Sequence, residues 1–496
     1  MQNKLRDRVQ KDEISRYYIS AQRVVWISDT SGNRVKNPEV LLHRGDGQTH
    51  FGISPEGACQ LRNGSDDTSG FILDFGIELH GGIQITTATS NRITPKVRIR
   101  FGESVSETMS TVIGDGTTGL AGGATNHHAM RDFEIRLPGY GTLEVGNSGF
   151  RFVRIDLVDT NARVAFEEIR AVAVIRDIPY LGSFRCSDTL LNQIWLTGAY
   201  TVHLNMQDYL WDGIKRDRMV WMGDMHPGVM TINTVFGYHN IVPKSLDYGR
   251  DNTPLSKWMN GISAYSMWWI IMQHDWYLYQ GRLDYLKEQQ IYLTGLLKRL
   301  TTMVDEKGRE NLEGGMRFLD WPSSDNQKGV HAGLQALMVL AFQRGLVLCQ
   351  ILGEMETARQ CEVMINKMKR YVPDPNGCKQ AAALMAMAGL LPAQEANKEV
   401  IAVGGANDFS TFYGYYMLQA MALAGDYQGS IDIIRQYWGG MLKLGATTFW
   451  EDFNLEWTEN AAGIEDMVPE GKKDIHRDFG NYCYLGLRHS LCHGWS

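Results

Sequence analysis

From about residue 15 to 180 the chain alternates apolar and polar positions. GIQITTATS (82–90), KVRIRFGE (96–103), DFEIRL (132–137), FRFVRIDLVD (150–159) and IRAVAVIRD (169–177) each put every second side chain on one face. That period of two predicts half-buried strands, separated by Gly, Asn, Asp and Ser clusters. Short strands without a helical run among them predict an antiparallel β-sandwich over residues 1–180. Its expected role is to brace the rest of the chain rather than to bind a ligand of its own.

The period changes at GSFRCSDTLLNQIWLTGAYTVHLNM (182–206). Ser187 is the expected N-cap, after which Leu190, Leu191, Ile194 and Trp195 follow helical spacing. Further helices are predicted near 228–237, 256–280, 283–304, 330–353, 355–371, 378–390, 408–424, 428–443 and 478–492. No βαβ alternation appears, so a parallel sheet is not expected. Residues 181–496 therefore read as a long all-α domain of paired helices, a toroid or a large bundle. Tryptophan marks the same division: eleven of the thirteen lie beyond position 200.

Composition adds exclusions. The net charge is −7, and no basic run or arginine-rich arm is present, which argues against nucleic acid. No window holds eighteen uninterrupted apolar residues, so no membrane span is expected. The opening MQNKLRDRVQKDE lacks an apolar core, so no signal peptide is expected; periplasm or exterior would apply only if one had been removed. The seven cysteines form no CxxC and read as small buried side chains. RNGSDDTSG (62–70) reads as a solvated turn rather than a calcium loop.

Candidate chemistry concentrates in three loops. WDGIKRDRMVWMGD (211–224) holds three Lys/Arg, three Asp and two Trp. FLDWPSSDN (318–326) sets Asp320 beside Trp321, and GATTFWEDFNLEW (445–457) sets Glu451 behind Trp450. Indole faces pack on the C–H faces of a pyranose, and carboxylates accept from its hydroxyls. Glycoside hydrolysis also needs two carboxyl groups in opposite protonation states. Taken alone, the first loop fits a solvated salt-bridge lattice as well as a site. GxSxG, GxxxxGK[ST] and HExxH do not occur. The pair His489 and His493 (HSLCH) has the spacing for a shared metal, but core or sugar-contact roles are expected, with no metal and no cofactor.

DGIKRDRMVWMGD resembles the signature loop of the α-L-rhamnosidases of glycoside hydrolase family 78. That loop runs Asp, three residues, Arg, Glu, Arg, two residues, Trp, one residue, Gly, Asp. Asp212, Arg216, Arg218, Trp221, Gly223 and Asp224 fall on it in register. GSFRCSDTLLNQIW, LDW (319–321), GATTFWEDF and RHSLCHGW are similar to later family segments. LDFGIELHGG (73–82) and VRIRFGESVSE (97–107) are similar to the β-domain that precedes them. The resemblance implies an (α/α)6 barrel from about 181 to 496 and an inverting hydrolase of terminal α-L-rhamnose. Mapped by residue, it implies Asp217 as general acid and Glu451 as general base. Asp212, Asp224, Arg216, Trp221, Asp320, Trp321, Trp450 and His493 would contact the sugar.

Two departures stand out. The acid position carries Asp where the family has Glu, which shortens its reach by about 1.5 Å. GIK also replaces the family's usual CPQ, and family members commonly continue past HGWS into a C-terminal β-domain. The acid position keeps open a sugar-binding member without hydrolysis. Another (α/α)6 enzyme is the remaining alternative; Glu451 argues against a phosphorylase, and no Tyr/His pair marks a lyase. The expected partner is a carbohydrate, and a homodimer is left open.

Overall fold

The structure is a computed structural model that describes residues 13–50, 57–110, 131–451 and 453–475. The described residues divide into two compact units, one up to Tyr180 and the other from Leu181 onward.

Among the described residues of the first unit, nine strands form one connected antiparallel sheet. They are β1 (Ile14–Ser20), β2 (Arg23–Ile27), β3 (Val35–Lys36), β4 (Cys59–Arg62), β5 (Gly70–Ser90), β6 (Lys96–Gly102), β7 (Arg131–Arg136), β8 (Gly141–Leu157) and β9 (Arg163–Arg176). The order is β3-β4-β9-β5-β8-β6-β7, with β1 also on β9 and β2 also on β5. Three strands are far longer than their alternating stretches predict. β5 continues through breaks in register between Asp74 and Leu79 and between Gly81 and Ile83. Such bulges bend a strand while its pairing goes on. Phe71, Phe75, Phe101 and Phe150 fill the core beneath. Two short helical turns, Pro38–Leu42 and Val105–Met109, interrupt the strand pattern, where no helix was expected.

The second unit is helical. Its principal helices are α1 (Thr189–Asn205), α2 (Met225–Val235), α3 (Ile241–Asn252), α4 (Ser263–Gln280), α5 (Leu283–Thr301), α6 (Gln327–Leu352), α7 (Met355–Met368), α8 (Lys379–Ala388), α9 (Thr411–Leu423) and α10 (Tyr427–Lys443). Two kinds alternate. α4, α6 and α8 are apolar nearly all round and buried, and they pack side by side, with α2 against α4 and α9 against α8. α5 and α7 bury one stripe only. On α5 that stripe is Leu286, Leu293, Leu296, Leu297 and Leu300, at the three- and four-residue spacing of one helix face. Burying each leucine contributes about 1.5–3 kcal/mol. α6 is long and apolar enough to cross a membrane, but 78% of its most apolar window is buried against other parts of the chain.

Local capping sets the element ends. The N-cap of α1 is Asp188, not the expected Ser187. Its carboxylate accepts from the amides of Leu190 (2.9 Å) and Leu191 (3.3 Å) and also takes Arg435 of α10 at 2.6 Å. Serine in that place would bond the amides but offer α10 no charge. α3 was not predicted. Pro243 and Gly249 argue against a helix there, yet Pro243 stands in the first turn, where no intrahelical N–H bond is lost. The predicted helix at 478–492 lies outside the described residues.

Candidate functional site

The loop between α1 and α2 is folded on itself. Asp212 N–H donates to Met219 O (3.1 Å), and Met219 N–H donates to Asp212 Oδ1 (2.8 Å). Asp217 and Arg218 form the tip, with φ of 52° and 53°. Successive non-glycine residues in the left-handed region are costly and persist only where the surroundings impose them. Asn260 imposes part of this: its carbonyl accepts from Met222 N–H (2.9 Å), and its amide donates to Val220 O (3.1 Å).

The loop lines a cavity of about 170 Å3 together with Asn260, Tyr265, Met316, Phe318, Trp321 and Glu451. That is close to the roughly 150 Å3 cavity known to take one benzene ring, so the space suits a single six-membered ring. Asp212, Arg216, Asp217, Trp221 and Asp224 of the loop face it. Residues far apart in sequence thus meet in one place.

Arg216 organises the charges. Its Nη2 donates to Glu451 Oε2 at 3.2 Å, and its Nε lies 3.7 Å from Asp217 Oδ1. A guanidinium spans about 2.3 Å between those nitrogens. The two carboxyl groups are therefore held within about 9 Å of each other. Trp221 Nε1 donates to Asp217 Oδ2 at 3.3 Å. Tyr265 donates its hydroxyl to Asp224 Oδ1 at 2.6 Å, and its ring meets Trp221 edge-on. Gly223 lies so close to this ring that a Cβ there would fall 2.1 Å from Tyr265 Cδ1. Burial raises the Asp212 carboxyl well above its ordinary pKa against the pull of the Met219 amide, and the carboxylates of Asp217, Asp224 and Glu451 raise it further.

Asp320 and Trp450 stand behind the cavity wall rather than on it. The backbone at Asp320 is extended (φ −154°, ψ 151°), so it and Trp321 take opposite sides. Asp320 caps the turn at Trp321–Ser323 by accepting from Trp321 N–H (2.9 Å). It also accepts from Gln380 (3.4 Å) and from the hydroxyl of Ser410. Burial pushes its pKa up to about 6 against those three hydrogen bonds, with Glu451 adding to the rise. Trp321 packs on Phe318 with ring centroids 4.7 Å apart. Trp450 is buried against Phe453, while its neighbour Glu451 faces the cavity. His493 and His489 lie outside the described residues. Asn260 and Tyr265 were missed at the sequence level. Their signals are indirect: Asn260 with positive φ (51°) before Gly261, and the glycine that Tyr265 requires at 223.

A larger cavity, about 330 Å3, opens between α1, α2, α9 and α10, but its lining is apolar and carries no acid–base pair.

Residues 179–370 match the family model of the bacterial α-L-rhamnosidase six-hairpin glycosidase domain. An α-L-rhamnosidase of Formosa agariphila is 30% identical over 158 residues, which are 32% of this chain and 16% of that protein. The chain thus spans under a fifth of the curated relative it matches. Among solved structures, the rhamnosidase from Klebsiella oxytoca with rhamnose bound superposes with a TM-score of 0.74 at 19% identity, over 97% of this chain and 94% of that one. A family 78 rhamnosidase of Bacillus sp. GL1 gives 0.68 at 20% identity, over 93% and 48%. At such identities these likenesses speak for the fold. Over residues 179–370 the chain is thus similar to the six-hairpin glycosidase domain of the bacterial α-L-rhamnosidases, the family that its loop at 212–224 resembles.

Proposed function

We propose that this protein is a glycoside hydrolase that removes terminal α-L-rhamnose with inversion. The observation that carries the reading is the meeting of Asp217 and Glu451, 234 positions apart, at one single-ring cavity beside Trp221 and Trp321. Glu451 is the general base that takes a proton from water. Asp217 is the general acid at the cavity rim, donating to the departing oxygen. Asp224 accepts from sugar hydroxyls, and Trp221 and Trp321 offer their rings to its C–H faces. An inverting pair stands roughly 6.5–9.5 Å apart to admit the water, and the limit of about 9 Å set by Arg216 leaves room for that arrangement. The relatives' names agree: α-L-rhamnosidase for the curated one, and a bound rhamnose for the Klebsiella oxytoca structure.

The reading extends to architecture. Residues 1–180 are an accessory β-sandwich, and residues 181–496 are an (α/α)6 barrel whose inner helices include α2, α4, α6, α8 and α9. The side-by-side packing of those helices supports this, as does the likeness to rhamnosidase structures.

The test is turnover of an aryl α-L-rhamnoside by the full chain. Hydrolysis lost in Glu451→Gln, with folding retained, is the expected result. Rhamnose binding without turnover would instead mark a sugar-binding member. The exposed position of Asp217 beside Arg216 gives that second reading its weight.

A further inference from the structure

The cavity of about 170 Å3 has two unlike halves. Among its described lining residues, the charged groups all come from the loop at 212–224 and from Glu451. Ile262, Met316 and Phe318 come from the two segments that lead into α4 and α6, and they are apolar. Backbone pairing stitches these two segments together. Ile262 and Met316 form a parallel bridge, Met316 N–H donates to Gly261 O (2.9 Å), and Ser263 N–H donates to Met316 O (3.3 Å). Gly315 permits the approach: a Cβ there would lie 2.4 Å from Trp258 Cδ1 and 3.0 Å from Gly261 O. Trp258 adds a third tie by donating Nε1–H to Glu313 O at 2.7 Å.

The same pairing engages the backbone polar groups of the wall. Gly261 N–H donates to Trp258 O (2.9 Å), Ile262 N–H donates to Met259 O (3.0 Å), and Ile262 O accepts from Tyr265 N–H (3.1 Å). The side-chain amide of neighbouring Asn260 is held by Met222 N–H and Val220 O. Among the described residues, this side of the cavity therefore offers hydrocarbon and a thioether. Ile262 and Phe318 are buried, while Met316, 45% exposed, reaches the mouth.

We propose that Ile262, Met316 and Phe318 set the glycone specificity: they receive the methyl group on C5 of a 6-deoxy sugar and discriminate against a hexose with a hydroxymethyl group there. The proposal rests on the reading of the cavity as a sugar site. The charged half suits the ring hydroxyls. An exocyclic hydroxyl turned to the apolar half loses water and gains no partner, which weakens binding. A methyl group in the same place gains by leaving water.

Three free sugars test this by calorimetry on the full chain. L-Rhamnose carries the methyl group, L-mannose a hydroxymethyl group and L-lyxose a hydrogen at that place, with the same configuration at C2, C3 and C4. L-Rhamnose should bind about tenfold or more tighter than L-lyxose, the value of one carbon in an apolar pocket. It should bind about tenfold to a hundredfold tighter than L-mannose, whose extra hydroxyl is left unpaired. Equal binding of the three would overturn the proposal and leave the sugar-site reading standing. No binding of any would overturn both.

Variants assign the preference to the wall. Met316→Gln keeps the side chain's length and introduces an amide. It should lower the ratio of kcat/KM on an aryl α-L-rhamnoside to that on the aryl α-L-mannoside by about threefold or more. Met316→Leu, which stays apolar, should keep the ratio within about twofold. General damage to the fold slows both substrates alike, so an unchanged ratio in Met316→Gln would overturn the proposal. Ile262→Thr, in the buried part of the wall, should lower the ratio too; if it does not fold, Met316→Gln decides.

Discussion

Gly223→Ala puts one methyl group into the tightest place at the cavity. The new Cβ would lie 2.1 Å from Cδ1 and 2.2 Å from Cε1 of Tyr265. Carbon atoms rest about 3.5–4.0 Å apart, so ring or loop must yield by roughly 1.5 Å. The Tyr265 ring is confined on one side by Trp221, and its hydroxyl sits 2.6 Å from Asp224. A shift of that size breaks this hydrogen bond. Overpacking of this kind costs about 1–3 kcal/mol, read as a lower denaturation midpoint of the helical unit. Displacing Asp224 by about 1 Å should lower kcat/KM on an aryl α-L-rhamnoside on the order of a hundredfold. Tyr265→Ala removes the obstacle, so in that background Gly223→Ala should cost less than about 0.5 kcal/mol. Additive costs in the double variant would refute the argument, because they would place the strain of Gly223→Ala somewhere other than the ring. An unperturbed single variant would refute it too.

Three further outcomes follow from the charges. Arg216→Met leaves the Glu451 carboxylate buried without the guanidinium at 3.2 Å, and breaking a buried pair from one side should cost about 3–5 kcal/mol in urea unfolding. Asp320 has its folded pKa raised to about 6 from 3.8, so the folded state resists its ionisation. Its contribution is neutral well below pH 3.8, becomes destabilising as the pH rises from 3.8 to about 6, and stays constant above that. Unfolding of Asp320→Asn against wild type should therefore shift in favour of Asn by about 2.4 kcal/mol between pH 4 and pH 7; a constant difference would contradict the raised value. Asp217→Asn should slow a sugar or alkyl leaving group far more than an activated aryl one, and equal losses would count against Asp217 as proton donor.

Much of this site was legible in the sequence, and the limits have physical reasons. Asp212, Arg216, Asp217, Trp221 and Asp224 could be read because one local loop carries them in a spaced register. Glu451 was readable from its own local motif beside Trp450. The assignment of neighbours to faces was not readable. Asp320 is extended and Trp321 opens the turn that follows it, and only Trp321 faces the cavity; likewise Glu451 faces it where Trp450 does not. Asn260 and Tyr265 act through tertiary return of a segment some forty residues away, which leaves no periodic trace. Among the helices, α4 to α10 followed their apolar spacing closely, whereas α3 was hidden by a proline whose position in the first turn is harmless. The long strands exceeded expectation because bulges let pairing continue where alternation stops.

The central claim is that Glu451 and Asp217 act across one sugar ring with water between. The most direct test is proton NMR of the first sugar released from an aryl α-L-rhamnoside by the full chain. β-L-Rhamnose should appear first and then mutarotate, and Glu451→Gln should release about a hundredfold to ten-thousandfold less. Initial α-L-rhamnose would contradict inversion, and undiminished release by Glu451→Gln would contradict the base.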